Sequence, residues 1–321
     1  VNLNFRPSMR ALLIILSVLA SFQGMSQDYV EYYQQLNEAK LLAVKGDLVA
    51  ASRFFEITFK DFEFRFARDC VHAVETAALT TDTSLVSYFI HCGLKQGIPS
   101  KYFEEKNGLE WFRRTESWAD VLMNADSLNH VYQSSVNAEL REELNQMFAE
   151  DQAIRERFYR GYNFLARPFI GRKWRKLNEK HIERIIDITR EYGFPGEQLI
   201  GIDIPAHHPN INATQFSSGI PIVLSVHHYS KANQSYDQLL FDQLKLGYLY
   251  NEHFATICDF EGEFGRKKHE KFGFYGLRFG QRGRKENMYD AKRAEIGLMT
   301  YLEYKKLNQS TVYTKFWNRL K

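Results

Sequence analysis

Proline is distributed so unevenly that it sets the first limit on the fold. Of the 7 prolines, none lies between Arg10 and Ile98 and none between Ser100 and Arg167. Proline interrupts helix interiors and punctuates turns, so stretches this long without one favour extended helices over a many-turned β architecture. Aromatic residues make up 15% of the chain, which is ample material for a sizeable core. With 44% hydrophobic and 25% charged residues in 321, the chain reads as globular, neither disordered nor a multi-span membrane protein. Its length is worth about two domains.

The first 26 residues read as a targeting segment rather than as fold. Met9-Arg10 precedes the apolar run Ala11 to Ala20, and Gly24-Met25-Ser26 follows with small residues at −3 and −1 of a cut before Gln27. That is the pattern of a secretory signal peptide, and a run this short falls below the ~20 residues needed to span a bilayer. Met9 reads as the start, with Val1–Ser8 an over-long gene model. The expectation is an exported protein, periplasmic or extracellular, with no membrane span after cleavage. Cys70, Cys92 and Cys258 then face an oxidising compartment, where disulfides persist. Cys70 and Cys92 flank the turn Thr80-Thr81-Asp82 at similar distances, so they form either a bridge across a hairpin or two small buried thiols.

From Tyr29 to about Ser134 apolar residues follow helical spacing. Leu36, Ala39, Leu42 and Ala43 form one stripe, closed by Gly46-Asp47, and Ala50, Ala51, Phe54 and Phe55 form the next. Ala43-Val44-Lys45-Gly46-Asp47 aligns with Ala78-Leu79-Thr80-Thr81-Asp82 at an offset of 35 residues. Paired helices at a period of about 34 residues are the mark of tetratricopeptide-type repeats. Such pairs bind protein partners or support the next domain. Trp111 and Trp118 are a heptad apart and share a face if one helix spans both; their aliphatic neighbours favour a core role over a sugar-binding one.

The texture changes near Ala138. Helices are expected over about 138–164 and 178–192, the second stopped by Gly193-Phe194-Pro195. Residues 196–220 read as loop. Ser218 with Pro221 opens a short helix, with a strand as the competing assignment, and long helices follow at about 235–258 and 288–307. Several signatures occur in order: Asp151-Gln152-x-x-Arg155, Gly193-Phe194-Pro195 before Ile200-Gly201, His228 after an apolar run, Asp259 ending a helix, Tyr275-Gly276, and Arg293-x-x-x-Gly297-Leu298. Over residues 138–308 the set resembles an uncharacterised exported bacterial domain-of-unknown-function family, often found behind tetratricopeptide-like helices. That family's pattern has Asp-Gln-x-x-Arg, Gly-Trp-Pro, Gln-His, Asp-Arg and Gln-x-Tyr-Gly-Thr-Gln. This chain departs from it: His227 stands for the glutamine before the histidine and Phe260 for the arginine after Asp259. Gly273, Leu277 and Arg278 replace Gln, Thr and Gln. The resemblance implies a location and no known reaction.

The resulting expectation is a mostly α protein. Residues 1–26 form the signal peptide and 27–135 tetratricopeptide-like helical hairpins. A compact α-helical domain with little or no sheet occupies 138–308, and 309–321 is a basic tail. The catalytic candidates are Asp151, Arg155, His228, Asp259 and Tyr275, with Arg278 as a further anion clamp. In that scheme a carboxylate orients His228 as general base and an arginine grips an anionic substrate; the alternative is a structural ion network. His207-His208, His227-His228 and His253 offer no metal-binding spacing, since neighbouring histidines point apart, and no cofactor motif is present. Asp259, Glu261 and Glu263 alternate, as a carboxylate pair of a glycosidase on a strand would, but Gly262 and Gly265 argue for a loop.

The segment Gly265 to Lys285 holds eight basic residues against Glu270, interleaved with Phe272, Phe274, Tyr275, Phe279 and five glycines. Arg266, Lys268, Arg278 and Arg282 are its candidate contacts for an anionic ligand. Export argues against nucleic acid. From Gly265 onward the net charge is +10, against −9 over residues 27–264, so this segment could instead dock on the chain's own acidic helices. Two functions follow: a binding or scaffold module, using helical repeats for a protein partner and the basic loop for an anion, or a hydrolase built on His228.

Overall fold

The structure, a computed structural model, describes residues 27–160, 165–203, 216–230, 236–264, 274–277 and 286–314. These residues are mostly helical and contain no strand. The order begins with two hairpins built alike. Helix α1 (Tyr29–Val44) starts where the Asp28 carboxylate accepts from Val30 N, and Gly46, at φ +92°, turns the chain into α2 (Leu48–Asp61). Asp47 caps α2 by accepting from Ala50 N at 3.2 Å. Helix α3 (Ala67–Thr80) ends at left-handed Thr81, and Asp82 caps α4 (Thr83–Lys95) by accepting from Leu85 N at 3.0 Å. The 35-residue offset therefore marks two turns with the same carboxylate cap, each freeing the next helix from an orphan N–H. Phe55, Phe59 and Phe89 close the space between the hairpins with edge-to-face rings.

Helix α5 (Ser100–Glu105) and a 3-10 turn at Phe112–Arg114 lead to α6 (Glu116–Ser135), which packs on α4. Trp111 precedes that turn and Trp118 lies inside α6, so no single helix spans them. Both pack into the core. Cys70, Cys92 and Cys258 are buried free thiols, so no bridge joins the first two.

Helix α7 (Ala138–Arg160) pairs antiparallel with α8 (Arg167–Tyr192), registered by the two-pronged contact of Arg184 on Glu143 at 2.6 and 2.9 Å. Helix α8 begins well before position 178, with Pro168 in its first turn. Its early residues Arg172, Lys173, Arg175 and Lys176 are exposed, so no apolar stripe announces them. After the one-turn α9 (Glu197–Ile200), the stretch around Pro221 is helix α10 (Gly219–Tyr229), not a strand, and it packs on α7, α8 and α12.

The two long helices expected next are each broken by a glycine that meets α1. The first divides into α11 (Asp237–Lys245) and α12 (Asn251–Phe264), with Gly247 at φ +81° against the Tyr29 ring. The second becomes a 3-10 turn at Glu286–Tyr289, α13 (Asp290–Glu295) and α14 (Tyr301–Gln309). Gly297, at φ +67°, would place a Cβ 2.8 Å from the Val30 carbonyl oxygen. Apolar spacing alone cannot reveal such breaks, because their cause is a neighbouring helix.

The halves share a hydrophobic core running from Tyr29 to Leu298. Polar bonds cross the same boundary: Tyr33 Oη donates to the Leu249 carbonyl at 3.3 Å, and Asn37 Nδ2 to the Gly297 carbonyl at 2.8 Å. Buried Asp69 accepts from Lys40 Nζ at 2.8 Å, Tyr32 Oη at 3.2 Å and Tyr250 Oη at 3.3 Å. Glu197 accepts from Ala67 N at 3.0 Å. The last described residues return to α3, where Thr314 N donates to Glu75 and Tyr313 Oη bonds Thr76 Oγ1 at 2.8 Å.

Candidate functional site

The five catalytic candidates do not meet at one point. Asp151, fully buried on α7, sits at the centre of one cluster, and its partner is His227 rather than His228. Its Oδ1 accepts from His227 Nδ1 at 3.0 Å and from Trp174 Nε1 at 2.8 Å, while Oδ2 accepts from Gln152 Nε2 at 2.8 Å. Burial raises the carboxyl, but the bond and charge of His227, with Trp174, prevail and hold it below the ordinary range. The bond engages Nδ1, so whenever His227 is uncharged its Nε2 is the acceptor nitrogen; the side chain is 17% exposed.

Position 228 lies one residue further round α10, about 100° away. His228 faces Tyr236, with ring centroids 6.1 Å apart, and burial lowers it below the ordinary histidine range. Arg155 stands one turn after Asp151 yet is exposed; it donates to Gln152 Oε1 at 3.1 Å and lies 5.9 Å from the Tyr159 ring centroid. It neither pairs with Asp151 nor approaches His228.

Asp259 and Tyr275 form a second, separate cluster that organises backbone. The Asp259 carboxylate accepts from the N–H groups of Phe274, Tyr275 and Leu277 at 2.5, 2.7 and 2.9 Å. Burial pushes this carboxyl up to about 6 against the pull of those three bonds and the nearby Arg293 charge. Arg293, itself fully buried, donates to the Tyr275 carbonyl at 2.7 Å and the Met299 carbonyl at 2.5 Å. Asp259 is thus the anchor of residues 274–277, with no path to His228 as its orienter. Asp259 and Glu261 are helical, so helical rotation turns Glu261 away from Asp259 and the alternating-carboxylate arrangement does not arise. Arg266, Lys268, Arg278 and Arg282 lie outside the described residues, as do His207 and His208. Among the described residues no group of three or more His, Cys, Asp or Glu side chains is placed to hold a metal ion.

What the anchor supports is a cleft of about 250 Å³ between α11, α12, α13 and residues 274–275. Its walls are Phe241, Phe254, Phe274 and Tyr275, with Cys258 also lining it. Asp237, in the first turn of α11, is the half-buried polar group inside; one oxygen accepts from Tyr229 Oη at 2.8 Å. Burial raises the Asp237 carboxyl, and the Tyr229 bond works against that. Exposed Gln238, Lys292 and Glu295 and buried Ile296 complete the described lining. The sequence marks Phe274 as an aromatic of a basic segment and Tyr275 both as such an aromatic and as a catalytic candidate. Asp237, Phe241 and Phe254 carried no local signal, since α11 and α12 read as one helix. His227 did carry one, as the departure from the Gln-His pattern.

The chain matches no known family model, no curated protein and no solved structure. No helix among the described residues is long and apolar enough to cross a membrane.

Proposed function

We propose that the chain is an exported binding protein whose small-ligand site is the aromatic cleft beside Asp237. The observation that carries this reading is the cleft itself: four aromatic side chains around one carboxylate, its wall residues 274–275 held by the buried Asp259 and Arg293. A concave, aromatic lining with few oriented polar groups is the usual form of a small-molecule site. Export rests on the segment before Gln27, and the resemblance to the exported domain family agrees with it. The N-terminal hairpins would serve as scaffold, since α1 forms one side of the joint with the C-terminal half. The proposal also gives the helical hairpins a protein partner and the basic segment an anionic ligand.

Ligand-observed NMR with a mixture of small amines, alcohols and carboxylates tests the reading. Saturation transfer to at least one class in the full chain, abolished by filling the cleft with Phe254→Trp, supports it. Absence of transfer from every class overturns it.

A second reading has its own observation, the Asp151–His227 pair with an acceptor nitrogen on the ring. A general base needs that arrangement, though among the described residues no serine, cysteine or threonine bonds the His227 ring, Ser230 Oγ donating to its backbone carbonyl instead. Hydrolysis of a p-nitrophenyl ester above the solvent rate, lost in His227→Ala, would favour the hydrolase reading with the base one residue from where the sequence put it.

A further inference from the structure

We infer that the cleft beside Asp237 takes an organic ammonium ion, an inference that rests on the binding reading above and names its ligand class. Three features of the lining point the same way. The walls are aromatic rings, whose faces attract cations through the ring quadrupole, most strongly where solvent is excluded. The half-buried polar group among them is a carboxylate. Tyr229 Oη engages one Asp237 oxygen and orients it, leaving the other for a donor in the cleft. The third feature is a cation already using a wall: Lys292 Nζ lies 4.8 Å from the Phe274 ring centroid. At the outer side of α11, Lys245 Nζ does the same over Phe241 at 5.9 Å.

Other ligand classes fit less well. Among the described residues of the lining, an anion would meet Asp237 inside and Glu295 at the rim, with Lys292 alone in its favour. A neutral apolar ligand would fill the aromatic walls but strip water from the Asp237 carboxylate without replacing it. An alkylammonium ion contacts both, its methyl or methylene groups on the rings and its charge on the carboxylate. The volume, about 250 Å³, lies below the ~300 Å³ where ordinary ligand pockets begin, which suits a head group rather than a drug-sized molecule.

Calorimetry on the full chain at low ionic strength separates this inference from the reading beneath it. The probes are choline chloride, its uncharged isostere 3,3-dimethylbutan-1-ol, and sodium acetate. The inference predicts that choline binds at least about tenfold tighter than the isostere, the scale of one partly desolvated cation–π and ion contact. Asp237→Asn should remove that preference while the isostere binds as before, and Phe274→Leu should weaken choline more than the isostere. Lys292→Gln, which withdraws the competing cation, should tighten choline. Equal affinity for choline and the isostere, or tighter acetate, overturns the ammonium inference and leaves the cleft as a binding site. If none of the three probes binds, the cleft reading falls with it. Unchanged far-UV circular dichroism and thermal midpoint in each variant keep these outcomes apart from misfolding.

Discussion

Glu197 offers a direct way to measure how dry the joint between the two halves is. Its side chain is 6% exposed; Oε2 accepts from Ala67 N, and Oε1 is buried without a hydrogen bond. Burial pushes the carboxyl from 4.5 up to about 8, with the Ala67 N–H and the Arg68 charge pulling back. A carboxyl raised on folding binds a proton in the folded chain that the unfolded chain has released, throughout the interval between those values. Its stabilisation is therefore complete below pH 4.5 and disappears as pH rises to 8. Linkage sets the slope at about 1.4 kcal/mol per pH unit for one proton. Relaxation and water entry reduce the full amount, so the expected loss between pH 5 and pH 8 is about 2–4 kcal/mol. Glu197→Gln keeps an acceptor for Ala67 N–H and cannot ionise, so it should match the parent near pH 5 and exceed it by that amount at pH 8. Urea unfolding of both chains across this range gives the difference directly. Buried His72 and His253, held well below the ordinary histidine range chiefly by burial, contribute a slope of opposite sign below pH 6.5, but equally to both chains. A parent-minus-variant difference that stays constant from pH 5 to pH 8 would refute the reasoning.

Other substitutions test the remaining joints. Gly46→Ala and Gly297→Ala both force a left-handed residue, but only position 297 crowds a neighbour, at 2.8 Å from the Val30 oxygen and 2.9 Å from Tyr33 Cβ. The first should lower stability by about 1 kcal/mol and the second by about 3 kcal/mol or more in thermal unfolding, and equal losses would deny the close approach to α1. Arg293→Met removes two carbonyl contacts and the charge facing Asp259, an expected loss of about 3–5 kcal/mol, with faster hydrogen exchange at the Phe274, Tyr275 and Leu277 amides. Unchanged exchange there would remove the anchor from the account. Asp151 is held below its ordinary 3.8, so its contribution is complete above that pH and is lost as acid protonates it. The stability gap between the parent and Asp151→Asn should therefore shrink as pH falls from about 5 to about 3; a gap independent of pH over that interval would mean the carboxylate charge is not used.

The sequence made the helices legible wherever local chemistry decides them. Asp47 and Asp82, 35 residues apart, announced two capped hairpins because a cap is a contact between near neighbours. Ser218 and Pro221 opened a helix as expected, although the Ser218 hydroxyl turns to the Gly201 carbonyl instead of capping. Breaks imposed from a distance stayed hidden: Gly247 and Gly297 interrupt helices because α1 passes beside them, and nothing within ten residues says so. The site followed the same division. The pattern drew attention to Asp151 and to the histidine pair, but a one-residue rotation on α10 decides which histidine faces the carboxylate. Trp174, which completes that cluster, sits in a basic stretch of α8 with no visible stripe. Asp259 reads as catalytic because it stands among the ordered signatures as a carboxylate to orient His228, and as the end of a helix; α12 instead runs on to Phe264, and the three backbone partners of Asp259 become visible only when residues 274–277 fold against it.

The central claim is that the Asp237 cleft, and not the Asp151–His227 cluster, is where this chain meets a small ligand. The most direct test is an NMR titration of the full chain, labelled at Phe, Tyr and Trp rings and His side chains, with choline chloride. The account predicts that saturable shifts concentrate on Phe241, Phe254, Phe274 and Tyr275 while Trp174 and His227 stay fixed. Saturable shifts at Trp174 and His227, with the cleft aromatics unmoved, would contradict it.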